Sequence, residues 1–173
     1  MRIRFIDHRD TGEIQTLASS FGVAEMTNVP HPYPDGGGLY FVNRALGLYG
    51  TQEALPFAMD LDGKLVGVVT INEIKNQPSI DYWVGQPYWG KGYATSAVHQ
   101  AIQYGVLRLS IDRFVSKALR MNLRSHKVLT KNGFLCIGEE MYSGPKESHE
   151  GKMMKVFEWR NDMAANKSPN GSR

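Results

Sequence analysis

The sequence predicts an α/β (α+β) domain whose elements follow the order β-α-α-β-β-β-α-β-α-β-β. Three observations lead to this prediction. The pattern of residues 80–109 predicts a short apolar strand, a glycine-bearing turn and a long amphipathic helix. Asp62-Gly63, a dipeptide that accepts the positive φ of a tight turn, joins two strand-like runs. Asn122 and Asn132-Gly133 carry the start and stop signals of a short helix that precedes another strand.

Length and composition indicate one globular domain. The chain has 173 residues, of which 42% are hydrophobic and 21% are charged, which is typical of a folded protein. Lys and Arg number 20 against 17 Asp and Glu. The resulting charge of +3 is too small to predict a nucleic-acid-binding domain, and it suits an anionic small-molecule ligand.

Cysteine usage and the N-terminal residues bear on the compartment. Cys136 is the one cysteine, so no intrachain disulfide can form and no metal site is expected. Cys136 lies in an apolar strand pattern, and we expect a buried structural thiol there. Residues 1–10 lack the apolar core of a signal peptide, and the chain has no apolar run of about 18 residues. These observations predict a cytoplasmic protein that does not enter a membrane.

Alternating polarity predicts the strands of the chain, and apolar residues at helical spacing predict its helices. The last 13 residues lack either pattern, and we expect a disordered tail over residues 161–173 after one domain over residues 1–160. The predicted strands are residues 2–6, 56–61, 64–72, 80–84, 113–118, 134–142 and 153–159, and the predicted helices are residues 13–21, 39–49, 94–109 and 122–132.

The segment between the first two predicted helices, residues 28–38, has three prolines at alternate positions and three consecutive glycines. No regular element tolerates this composition, so it predicts a loop. Two interpretations stay open: a solvated connector, or a rim beside the substrate that carries His31 and Tyr33.

The glycine turn Gly90-Lys91-Gly92 connects a strand directly to a helix. Such a turn directs free backbone N–H groups to one point, where the helix dipole also favours negative charge. Without side chains at Gly90 and Gly92 a ligand can approach the backbone, and Lys91 adds a cation. The pattern predicts a phosphate-binding loop, although the glycines of a turn can also serve only to permit a tight bend.

Two common phosphate motifs fit this turn poorly. Gly85 to Gly92 has the spacing G-x-x-x-x-G-K-G, but Gly92 stands where a P-loop needs a Ser or Thr hydroxyl for magnesium. Thr95 stands where the dinucleotide fingerprint ends in glycine, and no acidic residue follows about 20 residues later at a strand end. An NTP-dependent kinase and a hydride-transfer enzyme are therefore less well supported.

The segment W-G-K-G-Y-A, from Trp89 to Ala94, resembles the R/Q-x-x-G-x-G/A pyrophosphate loop of the GCN5-related N-acetyltransferase (GNAT) superfamily. Trp89 departs from the usual Arg or Gln. A second segment, Asn122 to Phe134, resembles the N-x-x-S/A…K-x-G-F segment of the same enzymes. Both segments stand in the family's order, and the predicted elements match its fold over about residues 2–160. The chain looks most similar to the ribosomal-protein-alanine N-acetyltransferase (Rim-type) branch.

The resemblance implies a single-domain GNAT-like fold with a central mixed, mostly antiparallel sheet of six to seven strands, flanked by about four helices and splayed at the acetyl-CoA site. It implies acetyl-CoA as the donor and no metal. Two interpretations of Lys131 stay open, a phosphate contact or an exposed helix lysine. The cofactor-binding residues that the resemblance implies are Tyr82, Trp83, Val84, Trp89, Gly90, Lys91, Gly92, Tyr93, Ala94, Thr95, Asn122, Ser125 and Lys131.

Acetyl transfer to an amine needs an acid for the departing thiolate and a base for the ammonium. Many family members have a Tyr acid at the position of Leu129, so the resemblance favours Ser125 instead, with a Ser that only satisfies the backbone as the alternative. Glu73 and Asp81 are the candidate bases, beside deprotonation through water. Among the histidines, His126 is expected to point away from Ser125.

The predicted function is N-acetyl transfer from acetyl-CoA to a primary amine, which could be a protein N-terminus or a small molecule. The alternative is a non-catalytic CoA-binding module with the same fold. We expect acetyl-CoA and the amine as partners, and neither nucleic acid nor a membrane. The oligomeric state stays open, with a homodimer as one option.

Overall fold

The computed structural model describes residues 1–161. The predicted tail therefore lies outside the described residues, apart from Asn161, whose N–H donates to the Asp112 carbonyl (2.8 Å). The strands are β1 (Arg2–Phe5), β2 (Ala54–Leu61), β3 (Lys64–Asn72), β4 (Ser79–Val84), β5 (Arg113–Leu119), β6 (Leu135–Met141) and β7 (Met153–Arg160). The helices are α1 (Thr11–Ala18), α2 (Phe21–Glu25), α3 (Gly37–Leu48), α4 (Tyr93–Leu109) and α5 (Leu123–Lys131).

The strands form two antiparallel sheets, one in the order β1-β2-β3-β4 and the other in the order β5-β7-β6. The mixed α/β fold with seven mostly antiparallel strands is confirmed, and the hairpin predicted at Asp62-Gly63 joins β2 to β3. Asp60 accepts the Gly63 N–H (2.7 Å) across this turn. The predicted central sheet is thus divided into two parts.

Two helix boundaries differ from the prediction. The expected helix over residues 13–21 is two helices, because the chain turns at Ser20, whose φ and ψ of −68° and 127° are extended. The expected loop over residues 28–38 ends early, since α3 begins at Gly37. A side chain at Gly38 would come within 2.4 Å of the Thr11 carbonyl, so the missing Cβ lets α3 approach α1 closely.

The four-stranded sheet has a hydrophobic cluster on each face. One includes Val42, Ala45 and Val68 beneath α1 and α3, and the other includes Val69, Val98 and other residues beneath α4. Burying these apolar side chains provides the main favourable free energy of folding. The helices α1 and α3 therefore lie on one side of the sheet and α4 on the other.

The two sheets meet where β4 begins. The Val115 N–H donates to the Pro78 carbonyl (2.9 Å). The Ile80 N–H, however, donates to the Oγ of the buried Ser116 (3.0 Å) and not to a backbone carbonyl. The backbones of β4 and β5 therefore begin to separate at Ile80, and a gap opens beside the rest of β4.

The outer strand of the smaller sheet, β6, is exposed along most of its length. Cys136 is exposed there, so the prediction of a buried thiol is wrong. The apolar pattern was misleading because β6 is an edge strand and no helix of the described residues covers it; its Leu135, Ile137 and Met141 are exposed as well. No helix among residues 1–161 is long and apolar enough to span a membrane.

The loop between β6 and β7 is attached to the end of α2 and to the residues that follow it. Lys146 Nζ donates to the carbonyls of Ala24, Thr27 (3.0 Å) and Val29 (2.7 Å). The buried His149 contacts the Glu25 carbonyl through Nε2 (3.0 Å). We call this set of contacts the loop clamp. It fixes two loops that no sheet pairing connects.

Candidate active site

The glycine turn precedes α4, a helix of 17 residues. Gly90 and Gly92 have φ values of 77° and 79°, and a Cβ on either would meet nothing within 4 Å. Gly92 is the N-cap residue and no side chain caps the helix. The N–H groups of its first turn therefore point into open space with the positive end of the helix dipole behind them. An uncapped helix start with open space before it can hold a pyrophosphate, and the binding of one by these residues stays a prediction.

The cations predicted near this turn are both exposed. Lys91 Nζ donates to the Pro87 carbonyl (3.3 Å) and lies 5.5 Å from the centre of the Tyr88 ring. Lys131 lies at the end of α5. Its neighbour Asn132 donates through Nδ2 to the Thr95 carbonyl (3.2 Å), which ties the end of α5 to the first turn of α4.

Trp89 is partly buried and has contacts with both β4 and α5. Its indole N–H donates to the Val84 carbonyl (2.6 Å). The guanidinium carbon of Arg124, in the first turn of α5, lies 4.5 Å from the centre of the indole ring. The sequence analysis did not single out Arg124, because a stacking contact between residues 35 positions apart leaves no local pattern.

The predicted pantetheine-binding strand β4 pairs with β3 on one side only. Tyr82 is opposite Val69 and Trp83 is opposite Val68 in this pairing. The other edge of β4 faces the gap beyond Ile80. The backbone of Tyr82 to Val84 is therefore available to an extended ligand, with the Val84 carbonyl already accepting one hydrogen bond from Trp89.

Ser125 and Asn122 lie at the start of α5, on the opposite side of the gap from β4. The Asn122 side chain caps the helix by accepting the Ser125 N–H (3.1 Å), as predicted. Its amide also donates to the Met26 carbonyl (3.4 Å). Ser125 Oγ is thereby left free for a side-chain partner, which is the Tyr82 hydroxyl at 2.7 Å.

The side chain of Tyr82 is a functional candidate that the sequence analysis missed, since only its backbone was considered. Its hydroxyl reaches across the gap and also contacts the Ser125 carbonyl (3.2 Å). Burial raises the pKa of Tyr82 far above its ordinary value, so the phenol stays protonated at neutral pH. Leu129, at the position of the usual tyrosine acid, is an apolar side chain buried in the core and has no proton to donate. The Tyr82–Ser125 pair places neutral hydroxyl groups at the gap instead.

Asp81 and Glu73, the two candidate bases, are brought close together on the other face of β4. Asn72 Nδ2 donates to Asp81 Oδ2 (2.9 Å). Asp81 is exposed, yet desolvation by the surrounding protein raises the pKa of its carboxyl to about 6, and the charge of Glu73 adds to this effect. A carboxyl with this pKa can exchange protons near neutral pH.

The histidines lie outside this arrangement. His126 contacts the Leu119 carbonyl through Nε2 (3.0 Å) and stacks near Phe157, so it points away from the gap as predicted. His31, on the predicted loop, makes an edge-to-face contact with the ring of Phe21. Among residues 1–161 no group of three His, Cys, Asp or Glu side chains is arranged to hold a metal ion.

Comparison with known proteins decides the family. The family model described as an acetyltransferase (GNAT) domain matches residues 1–135, most of the chain. The chain belongs to the GNAT acetyltransferase family. It therefore carries a GNAT acyltransferase domain, a class that uses acetyl-CoA as the donor, as the resemblance predicted.

Individual relatives agree with this assignment. Uncharacterized N-acetyltransferase p20 of Bacillus licheniformis is 34% identical over 91 residues, 53% of this chain and 49% of that protein. The matched part thus spans about half the length of that relative. The structure of RimL, a ribosomal L7/L12 alpha-N-protein acetyltransferase in complex with coenzyme A, superimposes with a TM-score of 0.82 at 17% identity, over 92% of this chain and 93% of that chain.

A spermidine N-acetyltransferase from Vibrio cholerae, in complex with CoA and spermine, superimposes with a TM-score of 0.78 at 16% identity, over 95% of this chain and 97% of that chain. At these identities the likeness shows the GNAT fold alone. Rim-type structures are among these neighbours, and the similarity to the Rim-type branch in particular stays a prediction.

Proposed function

We propose that this GNAT protein transfers the acetyl group of acetyl-CoA directly to a primary amine, either a protein N-terminus or a small-molecule amine. The observation that carries the proposal is the Tyr82–Ser125 hydroxyl pair, 2.7 Å apart, in a gap that opens beside the uncapped start of α4. Phosphate-binding groups and a proton donor for the thiolate thus border the same gap.

On the donor side, acetyl-CoA supplies an activated thioester. The N–H groups of Tyr93, Ala94 and Thr95 would bind its pyrophosphate, because no side chain caps this end of α4. The free edge of β4 would bind the pantetheine arm as an additional strand does, through backbone hydrogen bonds. Both contacts hold the donor without involving the acceptor.

On the acceptor side, Asp81 would remove the proton from the ammonium. Its pKa of about 6 leaves it ionised at neutral pH and still basic enough to accept a proton. Asn72 orients the carboxylate through a hydrogen bond of 2.9 Å. Glu73 would act through its charge, which raises the pKa of Asp81. Two neighbouring carboxylates also attract a cationic amine.

At the leaving group, Ser125 would give its hydroxyl proton to the CoA thiolate while Tyr82 passes its own proton to the serine oxygen, and Tyr82 would regain a proton from solvent. Asn122 holds Ser125 in register by accepting its N–H (3.1 Å). Hydrogen bonds in such a chain strengthen one another when one member becomes charged. Tyr82 and Ser125 would together take the role of the missing tyrosine.

The test is amine-dependent release of CoA from acetyl-CoA. A panel containing a short peptide with a free N-terminus, the same peptide with a blocked N-terminus, and a polyamine separates the acceptor classes. CoA release with one of the free amines supports the proposal. Acetyl-CoA binding with no release for any free amine supports the alternative, a non-catalytic CoA-binding module.

The cytoplasmic location stays a prediction, and the homodimer stays one option for the oligomeric state. The exposed edge strand β6, with Leu135, Ile137 and Met141 on its surface, supports assembly with a second copy, because an unpaired apolar edge is a common pairing site. Light scattering coupled to size-exclusion chromatography tests this assembly, and Ile137→Lys should reduce it.

A further inference from the structure

Trp89 and Arg124 form a contact that the proposed chemistry does not use. Trp89 directly precedes the glycine turn, at the position where family members usually have Arg or Gln. An indole cannot supply the charge of an arginine. The phosphate loop itself therefore has one cationic side chain, Lys91, which lies over the Tyr88 ring.

The indole of Trp89 is fixed on two sides. Its N–H donates to the Val84 carbonyl (2.6 Å), and its ring lies so close to α2 that a Cβ at Gly22 would approach Cη2 to 2.9 Å. The ring thus has a defined orientation, and one of its faces is available to a cation.

Arg124 occupies that face. Its guanidinium carbon lies 4.5 Å from the ring centre, within the range of a cation–π contact. Arg124 is exposed, and its guanidinium has no ion pair with a carboxylate among residues 1–161. A cation–π contact occupies no hydrogen-bond donor of the guanidinium, so its N–H groups stay able to bind oxygen.

We propose that Arg124, positioned by Trp89, binds a phosphate group of acetyl-CoA and so adds a second cation to the one that Lys91 supplies in the loop. An arginine fork matches the oxygens of a phosphate and binds them more strongly than a neutral donor does. Trp89 is a positioning residue in this proposal, since it acts through Arg124. The proposal concerns donor binding and does not depend on which amine is acetylated or on whether transfer occurs.

The test measures equilibrium binding by calorimetry, with CoA, 3′-dephospho-CoA and pantetheine as ligands. Arg124→Gln should raise the Kd for CoA by about tenfold or more, as expected for loss of a charge-assisted hydrogen bond. Lys127→Gln, another exposed cation of α5, is the matched control and should leave the Kd nearly unchanged. The parent Kd should also rise more steeply with salt than that of Arg124→Gln.

The three ligands identify the group that is bound. A loss for CoA alone assigns Arg124 to the 3′-phosphate, and an equal loss for CoA and 3′-dephospho-CoA assigns it to the pyrophosphate. An unchanged Kd for both, or a loss of equal size for pantetheine, overturns the proposal. Unliganded melting curves of each variant check that it folds.

The role of Trp89 is tested by a double-mutant cycle. Trp89→Leu should weaken CoA binding in the parent and have little further effect in the Arg124→Gln background, because the stacking partner is already gone. Trp89→Phe keeps an aromatic face, so it should retain more affinity than Trp89→Leu. Fully additive effects of Trp89→Leu and Arg124→Gln would show that Trp89 does not act through Arg124.

Discussion

The Tyr82 hydroxyl lies 2.7 Å from Ser125 Oγ, although the two residues belong to a strand and a helix on opposite sides of the gap. Different contacts hold the strand and the helix in place. Tyr82 extends from β4, which β3 holds by antiparallel pairing, and Ser125 follows the N-cap Asn122. The pair is therefore positioned by two rigid supports and not by a flexible loop.

Removal of these hydroxyls should lower turnover. We expect Ser125→Ala to reduce kcat by roughly 10²-fold and Tyr82→Phe by roughly tenfold, with little change in acetyl-CoA affinity, because the contacts act mainly in the transition state. Steady-state kinetics with calorimetric Kd values measure both effects. Tyr40→Phe, at a tyrosine that is 69% exposed, is the control. A parent-like kcat for Ser125→Ala would remove the serine from the mechanism.

A side chain at Gly92 should block donor binding. Gly92→Val introduces a branched group into the open space before α4 and also strains a residue with a φ of 79°. We expect loss of acetyl-CoA-dependent stabilisation in thermal melts. Gly50→Val is the matched control, because its φ of 87° causes the same strain in a loop far along the chain from the turn. If both variants respond to acetyl-CoA like the parent, the pyrophosphate does not bind here.

The pH dependence of the reaction should report Asp81. A carboxylate base is active when ionised, so kcat/KM should fall as the pH drops below the pKa of about 6. Asp81→Asn should reduce kcat/KM by roughly 10²-fold at neutral pH and remove this acid limb. Glu73→Gln should shift the limb to lower pH, since it removes the charge that raises the pKa of Asp81. An acid limb that survives Asp81→Asn would assign it to another group.

The loop clamp should weaken in acid. Burial, despite the Glu25 carbonyl, lowers the pKa of His149 below its ordinary value, so the folded state prefers the neutral ring. The resulting stability is complete above the unfolded pKa of about 6.5 and is lost as the pH falls below it. Melting temperatures from pH 8 to pH 5 should fall less for His149→Gln than for the parent. His126→Gln is the comparison variant, because the pKa of His126 is also lowered but this residue lies outside the loop clamp. Equal slopes for His149→Gln and the parent would contradict this role.

Most of the strands were predictable because they depend on local pattern. The hairpin turn, the glycine turn before α4 and both ends of α5 carry their signals in adjacent residues. The break between α1 and α2 was missed, since apolar spacing continues across Ser20 while the backbone turns. Cys136 was misassigned because an apolar strand pattern does not reveal whether a second layer covers it.

The candidate site was predictable where one segment contains it. Asn122 and Ser125 are three residues apart and interact as the cap pattern predicts. The contacts of Tyr82 with Ser125 and of Trp89 with Arg124 join residues 43 and 35 positions apart. Such pairs depend on how β4 and α5 are arranged in space, which no local pattern contains.

The narrow junction between β4 and β5 has a mechanical consequence. The backbones of the two sheets meet at Pro78 and Ile80, and side chains beneath α4 also join them, since Gly105 packs against Phe114. A force that pulls the two sheets apart should act on these contacts before it breaks the backbone hydrogen bonds within either sheet. The two sheets should then separate as intact units. A ligand bound to both β4 and α5 would hold the two sheets together and raise the force needed to separate them.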